Sequence, residues 1–344
     1  MADWCNKKVI GLSPMDGVTD ASFRTIIDKY GSPDVLFTEF LSVEAIVNGS
    51  INSLLPFVRE KSETPTIAQV YGLDLPSYIL ATLLVLELGF DGIDINMGCP
   101  AKSIAYHGAG AGLIQNPSHA KQIIKTVQTT FLDWKNGLRL KSGQLKPAKF
   151  EWIKQNRIKR SKIDNFPVSI KTRIGYDTST VQSWISHLLE CEPYAITIHG
   201  RTLKQMYKDK SDWNEIHKAV VLAKNSNTKI IGNGDIKSAG QANNKIKKYD
   251  LDGVLIGRAS MGNPWIFKSI VPTPYTRLTV ALEHARQFEK LTPSGNFQSL
   301  RKHFAWYSKG FDYAASVRNK LMHVNTYSEV KTILDPYFLL LKEK

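Results

Sequence analysis

The sequence predicts an α/β protein, a (β/α)8 barrel followed by a small all-helical C-terminal domain. Three observations carry this. Eight short β-branched runs alternate with helical patterns over about 255 residues, the length and order of eight β/α units. Polar groups end nearly every one of these apolar runs. After Trp265 strand patterns stop and only helical spacing continues. A doubly wound open sheet is the alternative, but it usually has fewer strands and an early G-x-G-x-x-G turn. GLSPMDG after the first run lacks that spacing.

The first strand is VIGLSPM (9–15), and DASFRTIIDKY (20–30) is a helix opened by an aspartate cap. VLFTEF (35–40) and PTIAQVYG (65–72) are the second and third strands, and an apolar-striped helix follows over 75–88. GIDINMG (92–98) is the fourth strand, with a helix from about Pro117 to Phe131. Residues 132–166 then interrupt the fourth unit. Connections between a helix and the next strand usually take two to six residues, so this is an insertion, leaving from the N-terminal face of the barrel. PVSIKTRIG (167–175), AITIHG (195–200), KIIGNGDI (229–236) and GVLIGR (253–258) complete the barrel, with helices over 178–190, 213–225 and 238–248. Helices over 276–291, 296–310, 313–324 and 327–342 form the second domain. The expected division is 1–268 and 269–344.

The 344 residues are 42% hydrophobic and 22% charged, which excludes a disordered or fibrous chain. Three scattered cysteines (Cys5, Cys99, Cys191) exclude a disulfide framework or a cysteine-rich zinc site, and no metal is expected. Their scarcity fits a reducing compartment. The N-terminus has no apolar run of signal-peptide length, and the longest apolar stretch, Tyr78 to Phe90, is broken by Glu87 and too short to span a bilayer. A cytoplasmic protein without membrane contact is expected, as a monomer.

The net charge of +14 is uneven. From Leu132 to Ile163 there are ten basic and two acidic residues, and from Ser269 to Lys344 eleven and six. The barrel proper is nearly neutral. Two basic appendages on a neutral body point to a polyanion, most often nucleic acid, although either run alone reads equally well as a solvated face.

Chemistry in a barrel gathers at the C-terminal strand ends. In order these carry Pro14-Met15, Glu39, Gln69, Asn96 with Cys99, Lys171 with Arg173, His199 with Arg201, Asn233-Gly234-Asp235, and Gly257-Arg258. The paired turns GNGDI and IGRASMGNP, after strands seven and eight, offer backbone N–H groups as a phosphate site, for a flavin mononucleotide or a phosphorylated substrate. Lys171 is either a cation beside a bound anion or a Schiff-base lysine. Cys99, in INMGCPAKS ahead of the glycine-rich GAGAG, is a small core residue or a catalyst under a mobile loop. His199 is structural or faces the pocket.

With these residues in view the chain resembles the tRNA-dihydrouridine synthase family. The resemblance rests on LSPMDGVTDASFR (12–24), IAQVYG (67–72), INMGCPAKS (95–103), GAGAGLIQNP (108–117), VSIKTRIG (168–175), ITIHGRTLKQMYKDKSDW (196–213), IIGNGDI (230–236) and VLIGRASMGNPWIF (254–267), in family order across the barrel. It implies an FMN enzyme that reduces the uridine C5–C6 double bond in tRNA with NADPH as electron source. Cys99 would donate the proton to C5. The flavin contacts implied are Pro14, Met15, Asp16, Gln69, Lys171, His199, Asn233, Gly234, Asp235, Gly257 and Arg258. Asn96 would meet the substrate, and Arg173, Arg201, Lys204 and Lys208 are expected on an RNA-facing rim. Two departures stand out. Asp16 occupies a place that often carries a small residue, and the insertion 132–166 lies outside the family pattern. Trp134, Phe150 and Trp152 lie among its cations, as base-stacking platforms of an auxiliary RNA arm would. The rival functions are a flavin oxidoreductase of free pyrimidines and an RNA-binding barrel without turnover.

Overall fold

The computed structural model describes residues 4–59, 62–158, 164–206 and 208–342. Its centre is an eight-stranded, all-parallel sheet: β1 (Val9–Leu12), β2 (Leu36–Ser42), β3 (Thr66–Tyr71), β4 (Gly92–Met97), β5 (Val168–Gly175), β6 (Ala195–Thr202), β7 (Lys229–Asn233) and β8 (Gly253–Ile256). Neighbours pair in sequence order from β2 to β8, and β8 pairs with β1. Leu12 N donates to Val35 O at 2.9 Å and Asp34 N to Ile10 O at 3.0 Å, which closes β1 onto the start of β2. Gly11 permits this close approach, since a Cβ there would stand 2.4 Å from Val35 Cγ1. The barrel and the helices after it agree with the fold read from the sequence.

Helices α1 (Ala21–Gly31), α2 (Val43–Asn48), α3 (Leu75–Glu87), α4 (Lys102–Ala105) and α5 (Pro117–Lys135) accompany the first four strands. Asp20 caps α1 by accepting from Phe23 N at 2.8 Å, the role its position suggested. The second unit has only the six-residue α2 and a 3-10 turn, Ile51–Phe57, as its outer layer. The insertion supplies what is missing there. Its helix α6 (Pro147–Asn156) packs on that turn and on α3. Hence α3 reads as apolar almost all round: it is covered on both sides.

Part of the insertion is engaged inward, while most of its cations, Lys135, Arg139, Lys141, Lys146 and Lys154 among them, are exposed. Trp134, Phe150 and Trp152 are partly buried against the main core. Arg139 stacks its guanidinium 4.4 Å from the Trp134 ring centre. Lys149 is 1% exposed and donates to Ala45 O at 2.7 Å and Ile46 O at 2.5 Å, binding α6 to the carbonyls of α2. Burial, and then Lys146, push its ammonium down to about 8. The helix before the insertion also runs four residues beyond Phe131, to Lys135. These contacts make α6 an outer-layer strut, with the three aromatic rings half-buried against the core. Residues 159–163 of this segment lie outside the described residues.

Helices α7 (Val181–Leu189), α8 (Trp213–Ala223) and α9 (Ala239–Tyr249) complete the ring. The chain then forms α10 (Pro274–Leu291), α11 (Arg301–Tyr307), α12 (Ala314–Leu321) and α13 (Tyr327–Lys342) around an apolar cluster of their own, joined by Ile26 and Trp265 from the barrel side. Two histidines sit at this junction. His284 contacts Tyr307 Oη at 3.2 Å and Ser22 Oγ at 3.0 Å. The His303 ring lies among Phe23, His284 and Trp306, and neither of its nitrogens has a partner among the described residues. Burial lowers His284 to about 4 and His303 well below the usual histidine range, so both fold neutral.

A group whose folded pKa is depressed in this way must shed a proton to fold at acid pH. Each then costs about 1.4 kcal/mol per pH unit below about 6.5, until its folded pKa is reached. We expect thermal melts to show a fall in Tm from pH 7 to pH 5 that is smaller in His303→Leu than in the unsubstituted chain. Equal falls would remove His303 from this linkage.

Candidate active site

The C-terminal strand ends surround one cavity of about 1370 Å³. Pro14, Met15 and Asp16 line it from the end of β1, Gln69 from β3, and Asn96 and Cys99 from β4. Lys171 and Arg173 enter from β5 and His199 from β6. Asn233, Gly234 and Asp235 follow β7, and Gly257 and Arg258 follow β8. Fourteen of the seventeen residues singled out in the sequence thus converge here. Arg201, Lys204 and Lys208 do not.

The two rim arginines differ from expectation. Arg173 is 3% exposed, and it donates to Gly98 O at 2.7 Å and Thr202 O at 3.0 Å. Arg201 is equally buried and donates to Asp209 O at 2.5 Å and Asp235 Oδ2 at 2.7 Å. A guanidinium has five N–H donors, and here they tie the loops after β4 and β6 to the barrel. Lys204 and Lys208 are exposed on the β6 loop, while Tyr207 lies outside the described residues.

Lys171 Nζ lies at the barrel centre, half-buried on the cavity wall. Its acceptor is Asn233 Oδ1, at 3.3 Å, and Asn233 Nδ2 is itself held by Leu255 O at 2.9 Å. Burial and then Arg173 push the Lys171 ammonium down to about 8, with Asp94 opposing. His199 Nε2 faces Arg201 Nη1 at 3.1 Å. The guanidinium only donates, so Nε2 accepts and Nδ1 carries the proton. Burial and the nearby cations Lys171, Arg173, Arg201 and Arg258 keep this imidazole neutral.

Asp235 has φ +54° and follows Gly234 at φ +127°. It receives Arg201, Arg258 at 3.1 Å and Ser211 N at 2.9 Å. Burial opposes its ionisation, but Ser211 N–H and Arg201 hold its carboxyl below the usual range. A Cβ at Gly234 would meet Ser211 Oγ at 2.1 Å, so glycine is required by both conformation and space.

Cys99 is 9% exposed. Its N–H donates to Asn96 Oδ1 at 2.9 Å, and its carbonyl accepts from Ala111 N at 3.2 Å. Burial raises the thiol pKa, an Ala101 backbone hydrogen bond lowers it and Asp16 raises it, with a net upward shift. The group is a protonated thiol at neutral pH.

The family model described as Dihydrouridine synthase matches residues 11–133 and 156–342. The chain belongs to the dihydrouridine synthase family. The gap in that match falls within the insertion. A "Probable tRNA-dihydrouridine synthase" of Staphylococcus aureus (strain COL) is 32% identical over 340 residues, covering 95% of this chain and 92% of that protein. A "Probable tRNA-dihydrouridine synthase 2" of Bacillus subtilis (strain 168) is 30% identical over 341 residues, covering 95% and 93%. The fold is similar to that of 6-hydroxypseudooxynicotine amine oxidase from Pseudomonas geniculata N1, with TM-score 0.50 and 10% identity. That likeness spans 80% of this chain and 50% of that one.

As a dihydrouridine synthase family member the chain has further groups at its cavity that the sequence reading passed over. Phe40 and Tyr71 form an edge contact at 5.1 Å and line one wall, and Met206 and Met261 line the cavity too. Asp94 lies beneath Gln69. Its signal was the polar alternation Asp94, Asn96 on an apolar strand. Lys302 of α11 donates to Gly17 O beside Asp16, a contact across 285 residues that no local pattern announces. Glu39, noted as a strand end, is pushed up to about 7 by burial and by Asp20 and Asp16. Among the described residues no helix is long and apolar enough to cross a membrane.

Proposed function

We propose that this chain is a tRNA-dihydrouridine synthase that holds FMN in the barrel cavity and reduces the C5–C6 double bond of uridine in tRNA. The observation that carries the reading is a protonated, nearly buried thiol and a half-buried ammonium with one long hydrogen bond among the described residues, both on the wall of one cavity. An ammonium partly withdrawn from water with one long hydrogen bond is costly and fits an acceptor brought by a ligand. Gly234 and Gly257 line the cavity after strands seven and eight, where the phosphate site of such a barrel usually lies. These residues fit FMN: Lys171 and Gln69 would hold the ring system, and the turns at 234–235 and 257–258 its phosphate.

When bound, reduced FMN supplies a hydride for C6 of the base, and NADPH is the proposed source of its electrons. Cys99 delivers a proton to C5 and must carry it beforehand. Burial ensures that, since it disfavours the thiolate. His199, kept neutral with its proton on Nδ1, would offer a donor to a bound group without adding charge. The helices of 269–344 form the tRNA-binding domain, with Lys302 joining them to the β1 loop at the mouth. Exposed Lys204 and Lys208 meet the RNA backbone.

The test is incubation of the purified protein with NADPH and unmodified tRNA, reading its visible spectrum and dihydrouridine by nucleoside mass spectrometry. A yellow protein forming dihydrouridine in tRNA and not from free uracil is expected. Product from uracil alone would move the reading to a free-pyrimidine reductase, and a protein that takes up no FMN would leave only RNA binding.

Phosphate contacts by several cations release counterions, so tRNA affinity is expected to fall on the order of 10²-fold or more between 50 and 200 mM salt. Filter binding across that range checks this, and a flat response would remove the basic face from recognition.

A further inference from the structure

The floor of the cavity holds a continuous hydrogen-bond chain. Asp94, 0% exposed, accepts from Ser169 Oγ at 2.6 Å through one oxygen and from Gln69 Nε2 at 2.6 Å through the other. Gln69 Oε1 accepts from Asn96 Nδ2 at 2.9 Å. Asn96 Oδ1 accepts from Gly98 N at 3.0 Å and Cys99 N at 2.9 Å. Every link is buried or nearly so, and all four side chains come from the adjacent strands β3, β4 and β5.

The chain has a polarity. An ionised carboxylate only accepts, so it fixes the NH2 side of Gln69 toward itself. The Gln69 oxygen must then face Asn96, which must donate with its NH2 and turn its oxygen to the two amides of the cysteine loop. An amide group alone has no such preference, because each can flip end for end. A flipped Asn96 would set NH2 against two N–H groups, and the loop would lose both bonds.

We propose that Asp94 is a positioning residue: its carboxylate sets the direction of the Gln69–Asn96 amide relay and thereby fixes the Cys99 loop in its working register. The inference rests on the reading of Cys99 as the proton donor. It adds that both amides facing the cavity are already oriented by the barrel floor before any ligand arrives.

Asp94→Asn is the discriminating variant. It keeps shape and hydrogen-bonding capacity but removes the acceptor-only constraint, so both relay directions become available. The first measurement is alkylation of the unliganded protein by iodoacetamide, with the rate at each cysteine read by peptide mass spectrometry. Cys5 and Cys191 are buried elsewhere and report general loosening. The expected result is a rise at Cys99 of about tenfold, with Cys5 and Cys191 unchanged. The second is turnover on tRNA, where kcat is expected to fall roughly 10–10²-fold with KM held, as for a small misplacement of a reacting group. If Asp94→Asn does not accumulate, Ser169→Ala removes one donor but leaves the acceptor-only carboxylate on Gln69, so the Cys99 rate is expected to stay within about twofold, and a selective rise there would overturn the proposal.

In Asp94→Asn, an unchanged Cys99 rate, or an equal rise at all three cysteines, overturns the proposal. The alkylation needs no tRNA. A failure of the unsubstituted protein to make dihydrouridine would therefore sink the functional reading and leave this result to be judged separately.

Discussion

Replacing Cys99 with alanine is expected to lower turnover on tRNA by roughly 10²–10⁴-fold, the usual worth of a positioned general acid. FMN retention and tRNA affinity should stay within about twofold. The loop is held through backbone atoms of residue 99, with N–H to Asn96 and C=O to Ala111, and alanine keeps both. What disappears is the proton at Sγ. In the proposed reduction, the charge that hydride delivery to C6 would leave on C5 and O4 would have no positioned proton donor once the Cys99 thiol is gone. Serine should not restore the rate, since a hydroxyl is a far weaker acid than a thiol. Because burial raises the thiol pKa, the acid form persists through neutral pH, and its loss belongs on the alkaline side. Single-turnover assays of dihydrouridine formation check the prediction. A Cys99→Ala protein with nearly full turnover would remove the donor role.

How much of this was legible follows from the physics of each element. Parallel strands buried on both faces must be apolar throughout, so all eight stood out, within a few residues of their observed ends. The polar residues that end them could be listed because a barrel confines its chemistry to one rim. What they touch could not. Arg173 and Arg201 read as free cations, yet they are consumed by carbonyls of loops whose course depends on tertiary packing. Composition records how many lysines the insertion has and not where each one ends. Lys149 shows the difference: one cation in a basic run, it is buried on the last carbonyls of α2. Helix α2 itself left no clear signal, as six residues carry too little periodicity. Lys302 reaches Gly17 only because α11 docks beside β1.

Lys171→Met is the second large expected loss, and its interest lies in two effects of opposite sign. The unliganded barrel holds an ammonium at its centre, pushed down to about 8 by burial, with one acceptor at 3.3 Å. Methionine is close in length and apolar, and removing a poorly compensated, partly buried charge is often neutral or stabilising. The apoprotein should therefore melt at the same or a higher temperature. Binding should move the other way. An ammonium hydrogen bond contributes about 1.5–3 kcal/mol, so FMN affinity is expected to weaken roughly 10–10²-fold. Turnover should fall about 10²–10³-fold, the scale on which a preorganised donor facing developing negative charge acts. The pH dependence separates this from a packing defect. Below about 8 the lysine is charged and its contribution is present; it is lost as pH rises through that value. Fluorescence titration of apoprotein with FMN should thus show weaker binding at pH 9 than at pH 7 in the unsubstituted chain. Lys171→Met should show no such difference, and Lys171→Arg should bind equally at both, because a guanidinium does not titrate there. If the methionine variant keeps both FMN affinity and its fall between pH 7 and 9, Lys171 is not the group that meets the cofactor. A residue that lowers apoprotein stability and raises ligand affinity is how a preorganised site differs from a packed core, and this barrel keeps its lysine at that point.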